Sequence, residues 1–245
     1  MIDALILMNF CRGLLIFVFM STILDRIIGL LKWPAAVWAL WSVPAFFQSL
    51  EYFDFKTLKF VALFGGFFLF FVARTSMEAS IRTSMQIIAH ELTHSFFAVL
   101  TFHKVKHIRI EEDNSGGSMG FEGEGNWLII IAPYFFPLFC FFFMVGVGIY
   151  MKFAALNWIV SAVFGYFIGY HVDTVASQIH EKQTDLPKVS YLFCAMFLPG
   201  ANLWIIGSML AFNSYGWDSF FKYQELMARL NAENLQQLVG LVFNF

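Results

Sequence analysis

One apolar stretch of the chain also carries ionisable side chains and reads SMQIIAHELTHSFFAVLTF, residues 84–102. A helix that crosses a bilayer needs roughly 20 mostly apolar residues, and this stretch has about that length. Charged or ionisable groups inside such a helix are costly and are usually paired or functional. We therefore interpret residues 84–102 as a transmembrane helix that carries a polar site.

The composition of the whole chain agrees with a membrane protein. Its 245 residues are 59% hydrophobic and 13% charged, and the mean hydropathy is +0.69. Soluble domains have roughly 45–50% apolar and about 25% charged residues. The net charge of −2 leaves no basic surface of the kind that nucleic acid requires. The composition therefore predicts an integral membrane protein and excludes disordered chains and nucleic-acid-binding proteins.

Other apolar segments on both sides of residues 84–102 are candidates for further spans. We predict an all-α polytopic membrane protein with six or seven transmembrane helices and one transmembrane domain over residues 1–245. Within it we expect N-terminal spans in residues 1–83, a core in residues 84–187, and a last span with an amphipathic tail in residues 188–245. The other candidate spans are Ala4–Leu24, Pro34–Leu50, Leu58–Val72, Trp127–Tyr150, Leu156–Val172 and Val189–Leu210.

The longest polar stretch follows the 84–102 segment directly. Apolar and polar residues alternate over Val105–Ile110, the turn-forming residues Asp113-Asn114-Ser115-Gly116-Gly117 come next, and Ser118–Phe121 follows. Alternation on both sides of a turn signal is typical of a β-hairpin. We therefore predict a small membrane-associated hairpin between the 84–102 helix and the next span.

The 84–102 segment contains the pattern H-E-x-x-H, formed by His90, Glu91 and His94. Residues four apart lie on one face of a helix, so both imidazoles face the same point. Two neutral imidazoles at this spacing suit a tetrahedral zinc ion, and a neighbouring glutamate can act as general base towards the water that the metal activates. The motif predicts Zn²⁺ as cofactor, with His90 and His94 as metal ligands and Glu91 as the catalytic base.

The zinc ion needs a third protein ligand, which the spacing alone does not identify. A metzincin would have histidine at position 100, where this chain has Leu100, so that subclass is excluded. We predict Asp173, because the span that ends directly before it, Leu156–Val172, crosses in the same direction as the H-E-x-x-H helix and ends near the same side. An aspartate would also neutralise part of the metal's charge. The other candidates are His103, His107, His171, His180 and Asp185.

Taken together, these motifs resemble the site-2 protease family of intramembrane zinc metalloproteases. The resemblance rests on the H-E-x-x-H run, the polar hairpin with Gly116-Gly117, the run Ala132-Pro133-Tyr134 in the next span, and an aspartate late in a downstream span. It covers roughly Met85 to Pro187. Many members have glycine directly after the ligand aspartate, whereas Thr174 follows Asp173 here. The chain has no loop long enough for the PDZ-type domain that some members carry.

The resemblance implies a fold, an activity and partners. His90, His94 and Asp173 would hold zinc, Glu91 would be the general base, and the substrate would be a transmembrane segment of another membrane protein. The enzyme would then be a peptide hydrolase that cuts in or near transmembrane segments. Its compact architecture leads us to expect the inner membrane of a bacterium, with the lipid bilayer as surroundings and no nucleic-acid partner.

The resemblance to this family also implies a function for the hairpin. A substrate helix must unwind before it is cut, because intrahelical hydrogen bonds occupy its carbonyl groups. Extended substrate can add to an open strand edge, and either Val105–Ile110 or Ser118–Phe121 could provide that edge. The alternative is that the hairpin only connects two helices.

Two other functions use the same residues. A membrane scaffold or binding protein could keep the metal site without hydrolysis, although such a protein has no need of Glu91. A metal or proton transporter is the second alternative, but transporters are expected to show inverted repeats with polar residues in both halves. Here the ionisable cluster lies in one half of the chain. The sequence leaves the oligomeric state open.

Overall fold

The structure is a computed structural model that describes residues 2–111, 116–180 and 183–243, with side chains from residue 18 onwards in these ranges. Its contacts divide the chain into two compact units. The first comprises Met1–Ala35, Glu78–Pro133 and Thr184–Tyr191, and the second comprises Ala36–Met77, Tyr134–Gln183 and Leu192–Phe245.

Helices dominate both units, with one small antiparallel sheet in the first. Short 3₁₀ turns cover Leu50–Tyr52 and Ala132–Tyr134. The elements in chain order are α1 Ile2–Ser49, α2 Leu58–Thr75, α3 Ala79–Leu100, β1 Val105–Ile110, β2 Gly117–Phe121, α4 Trp127–Ile131, α5 Leu138–Tyr150, α6 Trp158–Gln178, α7 Asp185–Val189, α8 Tyr191–Tyr215 and α9 Trp217–Phe243.

The predicted all-α polytopic membrane fold is confirmed, but with fewer spans than expected. In the part of the chain that the structure describes, four helical segments are long and apolar enough to cross a membrane. A fifth is added if Trp127–Tyr134 and Leu138–Tyr150, which are bent by 82° at their break, form one broken span. The four are Val18–Tyr52, Leu58–Thr75, Trp158–Gln178 and Tyr191–Tyr215.

The difference from six or seven spans has three physical reasons. The two spans predicted before residue 50 form one continuous helix, because the charged residues between them interrupt the apolar pattern but are compatible with helix. Helix α3 is long enough, but its polar and ionisable residues keep it below the hydropathy of a span. The fifth predicted span is broken near Pro133 and Pro137, since proline lacks an N–H and clashes with the preceding turn.

The predicted hairpin is confirmed. Strands β1 and β2 pair antiparallel, with Ile110 opposite Gly117 and Arg109 opposite Ser118. An irregularity lies between Val105 and His107. The predicted turn at Asp113-Asn114-Ser115 lies outside the described residues. β1 is largely exposed along its length, so its outer edge is open to a ligand.

In the second unit, α2 and α6 pack with their backbones in close approach. A side chain added at Gly66 would meet the carbonyl oxygen of Ala162, and one added at Gly165 would meet that of Leu63. Small residues permit such close contact between membrane helices. This packing orients the end of α6, where Asp173 forms an ion pair with Arg74 of α2.

Candidate metal centre

Helix α3 brings the two histidines of the motif together, as the sequence predicts. The ring centroids of His90 and His94 are 4.6 Å apart, and both residues are buried. The helix has no proline or glycine in this region and is unbroken, so these two residues, four apart in sequence, lie on the same face. Two buried imidazoles on one face form the first half of a metal site.

Asp185, the first residue of α7, completes the group. Its Oδ2 atom lies 3.3 Å from Nε2 of His90 and 3.2 Å from Nε2 of His94. The three ligand atoms all lie within 4.8 Å of one another. Ligands about 2.0–2.1 Å from a tetrahedral zinc ion are roughly 3.3 Å apart, so the two measured separations fit this ion.

The orientation of His94 also fits a metal ligand. Its Nδ1 atom lies 2.7 Å from the carbonyl oxygen of Ile129 in α4. Because a carbonyl oxygen only accepts, Nδ1 must carry the proton, and Nε2 faces Asp185. With the proton on Nδ1, the lone pair of Nε2 is the one available to a metal ion. A metal-ligating histidine commonly donates its other N–H to a carbonyl in this way.

The surroundings of Asp185 favour the ionised form of its carboxyl group. Burial alone would raise the pKa of Asp185, but hydrogen bonding to His90 and His94 outweighs burial and holds the pKa well below its usual range. Its second oxygen, Oδ1, accepts a hydrogen bond from Nζ of Lys188 at 3.0 Å. The ammonium group therefore fixes the carboxylate from one side while Oδ2 faces the imidazoles.

Glu91 is buried beside the two histidines and lies against strand β2. A Cβ atom built on Gly117 would be 2.9 Å from Cγ and 3.0 Å from Oε1 of Glu91. Only a residue without a side chain fits between the strand and this carboxylate. The hairpin therefore sets one wall of the space that the Glu91 side chain occupies.

The predicted third ligand, Asp173, does not lie in the group of potential metal ligands and stays a prediction, whereas Asp185 lies beside the two histidines. Oδ1 of Asp173 lies 2.6 Å from Nε of Arg74, so a guanidinium group already balances its charge. Among the described residues, the group of potential metal ligands contains Asp185 and not Asp173. Depth along the helices favours Asp173, but the face of α6 that carries Asp173 is determined by the packing of α6 on α2.

Asp185 was a candidate in the sequence, but no local pattern singled it out. It begins a five-residue helix after a polar connection, a position where aspartate is common as a helix-starting residue. In the described ranges, no group of three potential ligands includes His103, His107, His171 or His180. The contact between α4 and α7 places Asp185, and that contact joins segments distant in sequence.

Comparison with known families covers only part of this site. The model of the family described as Peptidase M50B-like matches residues 68–176, which include the H-E-x-x-H motif and the hairpin but end before Asp185. No curated protein and no solved structure matches the chain. The match agrees with the resemblance to the site-2 proteases, and over residues 68–176 the chain is similar to the M50B-like peptidases.

Proposed function

We propose that this protein is a zinc metalloendopeptidase that hydrolyses peptide bonds in or near transmembrane segments of other membrane proteins. The proposal depends on one observation above all: Oδ2 of Asp185 lies 3.3 Å from Nε2 of His90 and 3.2 Å from Nε2 of His94, and the ligand atoms of all three residues lie within 4.8 Å of one another. We propose these three residues as the metal ligands. The bacterial inner membrane is proposed as the location on the compact architecture alone.

The residues around the metal ligands suit peptide hydrolysis. When bound there, zinc would polarise a peptide carbonyl and acidify a water molecule. Glu91 would take the proton from that water and pass it to the departing amine nitrogen, the two proton transfers that amide hydrolysis requires. Lys188 holds the Asp185 carboxylate and Ile129 holds the His94 ring, so the ligands are oriented before a metal binds.

The hairpin supports the choice of an extended peptide as substrate. β1 and β2 pair only with each other in the described part of the chain, so the outer edge of β1 has N–H and C=O groups available for another strand. Gly117 of the same hairpin lies against Glu91. A substrate strand added to β1 would be fixed by the element that also contacts the proposed base.

The test compares zinc content and proteolysis in four purified proteins. These are the wild type and the variants Glu91→Gln, Asp185→Asn and Asp173→Asn, each purified in detergent micelles. The substrate is a single transmembrane helix fused to a soluble reporter and solubilised in the same detergent. We expect about one zinc per chain in the wild type, Glu91→Gln and Asp173→Asn, and much less in Asp185→Asn.

We expect the cleavage rates of the variants to differ in a way that their zinc contents do not. Glu91→Gln should keep its zinc and lose activity by at least about 100-fold, because general-base catalysis contributes 10²–10⁴-fold. A Glu91→Gln variant that cuts as fast as the wild type would contradict the proposed base. If the wild type binds zinc but cleaves no substrate, the hypothesis of a membrane scaffold is favoured. If zinc is retained in Asp185→Asn but lost in Asp173→Asn, Asp173 is the third ligand.

A further inference from the structure

A buried polar network in the first unit begins at Asp25 of α1. Oδ1 of Asp25 accepts a hydrogen bond from Nδ2 of Asn126 at 2.7 Å, and Oδ2 lies 3.1 Å from Nε2 of His103. Asn126 is buried, and the side chain of His103 is completely inaccessible. Both oxygens of one carboxylate are therefore occupied by side chains about 80 to 100 residues away in sequence.

The Asn126 branch of this network leads to the proposed metal ligand His94. Oδ1 of Asn126 accepts hydrogen bonds from the backbone N–H groups of Leu128 and Ile129, at 3.1 and 3.2 Å, and so caps α4. The carbonyl oxygen of Ile129 is the acceptor 2.7 Å from Nδ1 of His94. Three successive contacts thus connect Asp25 with the imidazole, through one side-chain amide and one turn of helix.

We propose that Asp25 is a positioning residue for the metal centre, which acts by fixing the Asn126 cap and, through Ile129, the ring of His94. α4 has only five residues, so its position depends strongly on its cap and on neighbouring contacts. The inference rests on the proposed function only in requiring that the His90, His94 and Asp185 group binds a metal ion.

The second branch explains why a carboxylate is suited to this position. His103 occupies Oδ2, which leaves Oδ1 aligned with the amide of Asn126. The His103 ring also contacts Phe121 of β2, with ring centroids 5.1 Å apart. Asp25 therefore lies between the base of the hairpin and the cap of α4. Independently, Nε1 of Trp127 donates to the carbonyl oxygen of Ile28, which keeps α4 attached to α1 when the Asp25 contact is removed.

A double-mutant cycle tests the contact between Asp25 and Asn126. Asp25→Asn leaves one acceptor oxygen for the two partners His103 and Asn126, and Asn126→Asp keeps a good helix cap but replaces the donor by a second carboxylate. The combined variant Asp25→Asn/Asn126→Asp restores the hydrogen bond with its direction reversed. Arg26→Gln is the matched control, because Arg26 is the exposed neighbour of Asp25 on the same helix.

The measurements are the affinity for Co²⁺, by competition with a chelator, and the visible absorption spectrum of the Co²⁺-loaded protein. Each single variant should bind Co²⁺ about 10–100-fold more weakly than the wild type, the usual effect of removing a partner behind a metal ligand. Each should also show an altered ligand-field spectrum. The combined variant should recover most of the affinity and the wild-type spectrum, and Arg26→Gln should match the wild type throughout.

The outcomes separate this inference from the proposed function. A wild-type protein that binds no Co²⁺ would remove the metal site itself, and with it any role of Asp25 in positioning it. Tight binding in the wild type together with unchanged affinity and spectrum in both single variants would overturn the role of Asp25 while leaving the metal site intact. A combined variant as weak as the single variants would also overturn it, because the contact would then have been restored without effect.

Discussion

His94 is held by two different groups, and each one determines a separate property of the ring. The contact from Nδ1 to Ile129 fixes the proton on that nitrogen, whereas Nε2 is directed at Asp185. A ligand with one nitrogen committed to a carbonyl has only the other available for metal.

Gly117 is the residue at which the hairpin constrains the proposed base. In Gly117→Ala, the new methyl group would lie 2.6 Å from Cγ2 of Ile87 and 2.9 Å from Cγ of Glu91, so the carboxylate must move. A catalytic group misplaced by about 1 Å can cost about 100-fold in rate. We expect Gly117→Ala to cleave the reporter substrate about 10–100-fold more slowly, with unchanged zinc content.

Gly116→Ala provides the matched control for that substitution. A side chain at Gly116 would meet no atom within 4 Å, so this variant changes the same segment without touching Glu91. It should cleave at the wild-type rate. Equal rates for the two variants would show that Glu91 tolerates the added methyl group and that β2 does not constrain it.

Among the elements, β1 and β2 show how a short hairpin can serve a peptide substrate. The N–H of Glu111 donates to the carbonyl of Gly116, and hydrogen-bonded and non-hydrogen-bonded pairs alternate along an antiparallel ladder. Arg109 and Ser118 are therefore a hydrogen-bonded pair, and Ile108 belongs to the next pair, which is not hydrogen-bonded. The N–H of Ile108 consequently points away from β2. Ile108 is 42% exposed, which leaves this edge accessible.

Proline at position 108 should block the substrate edge and leave the hairpin itself paired. Ile108→Pro removes an outward N–H and no ladder bond, so a substrate strand would lose a donor. We expect cleavage to fall at least about tenfold, with zinc content and circular dichroism unchanged. Ile108→Val, which keeps the N–H, should cleave normally. Undiminished cleavage by Ile108→Pro would contradict substrate addition at β1 and favour a hairpin that is only a connector.

The pair α2 and α6 depends on close approach of two helix backbones. A Cβ atom at Gly66 would lie 1.8 Å from the carbonyl oxygen of Ala162, so the helices must separate to accept any side chain. Overpacking of this kind typically costs about 1–3 kcal/mol. Gly66→Ala should therefore lower the unfolding free energy by that amount, measured by denaturant titration in detergent.

The adjacent Gly65 separates the packing effect from helix propensity. It is exposed and has no atom within 4 Å of an added Cβ, so Gly65→Ala gains propensity without a clash. This variant should be as stable as the wild type or more stable, by up to about 1 kcal/mol. If Gly66→Ala were equally stable, the close approach of α2 and α6 would not be needed for stability.

At the scale of the whole molecule, the proposed metal joins segments far apart in sequence. His90 and His94 lie in the Glu78–Pro133 part of the first unit, and Asp185 lies in the Thr184–Tyr191 part. A ligand that binds only the folded state stabilises it by mass action. The metal ion is therefore expected to act as a link between the H-E-x-x-H helix and the segment that contains α7.

Zinc should raise the melting temperature of the purified protein by a measurable amount. At a zinc concentration 100 times the dissociation constant, the gain is about 2.7 kcal/mol, which corresponds to roughly 5–10 °C for a chain of this size. The shift should disappear in Asp185→Asn and persist in Asp173→Asn, as followed by scanning fluorimetry of protein stripped with a chelator. An equal shift in wild type and Asp185→Asn would place the stabilising zinc outside the proposed site.

The sequence determined the class of the molecule and half of its metal centre. A chain this apolar needs a lipid environment. His90 and His94 are four residues apart, so both rings lie on one helix face wherever that helix packs. The β-hairpin was also predictable, because alternation and turn residues are local signals. These features depend on neighbours within a few positions along the chain.

Only the tertiary structure shows which aspartate lies beside the two histidines and that α1 is one continuous helix. Asp173 and Asp185 are both aspartates downstream of the motif, and the choice between them depends on which helix faces meet: Arg74 pairs with Asp173, whereas α7 brings Asp185 to the histidines. Likewise, α1 is continuous because charged residues that interrupt the apolar pattern of the sequence are compatible with a helix. Contacts between distant segments are set by packing, and packing has no local signature in the sequence.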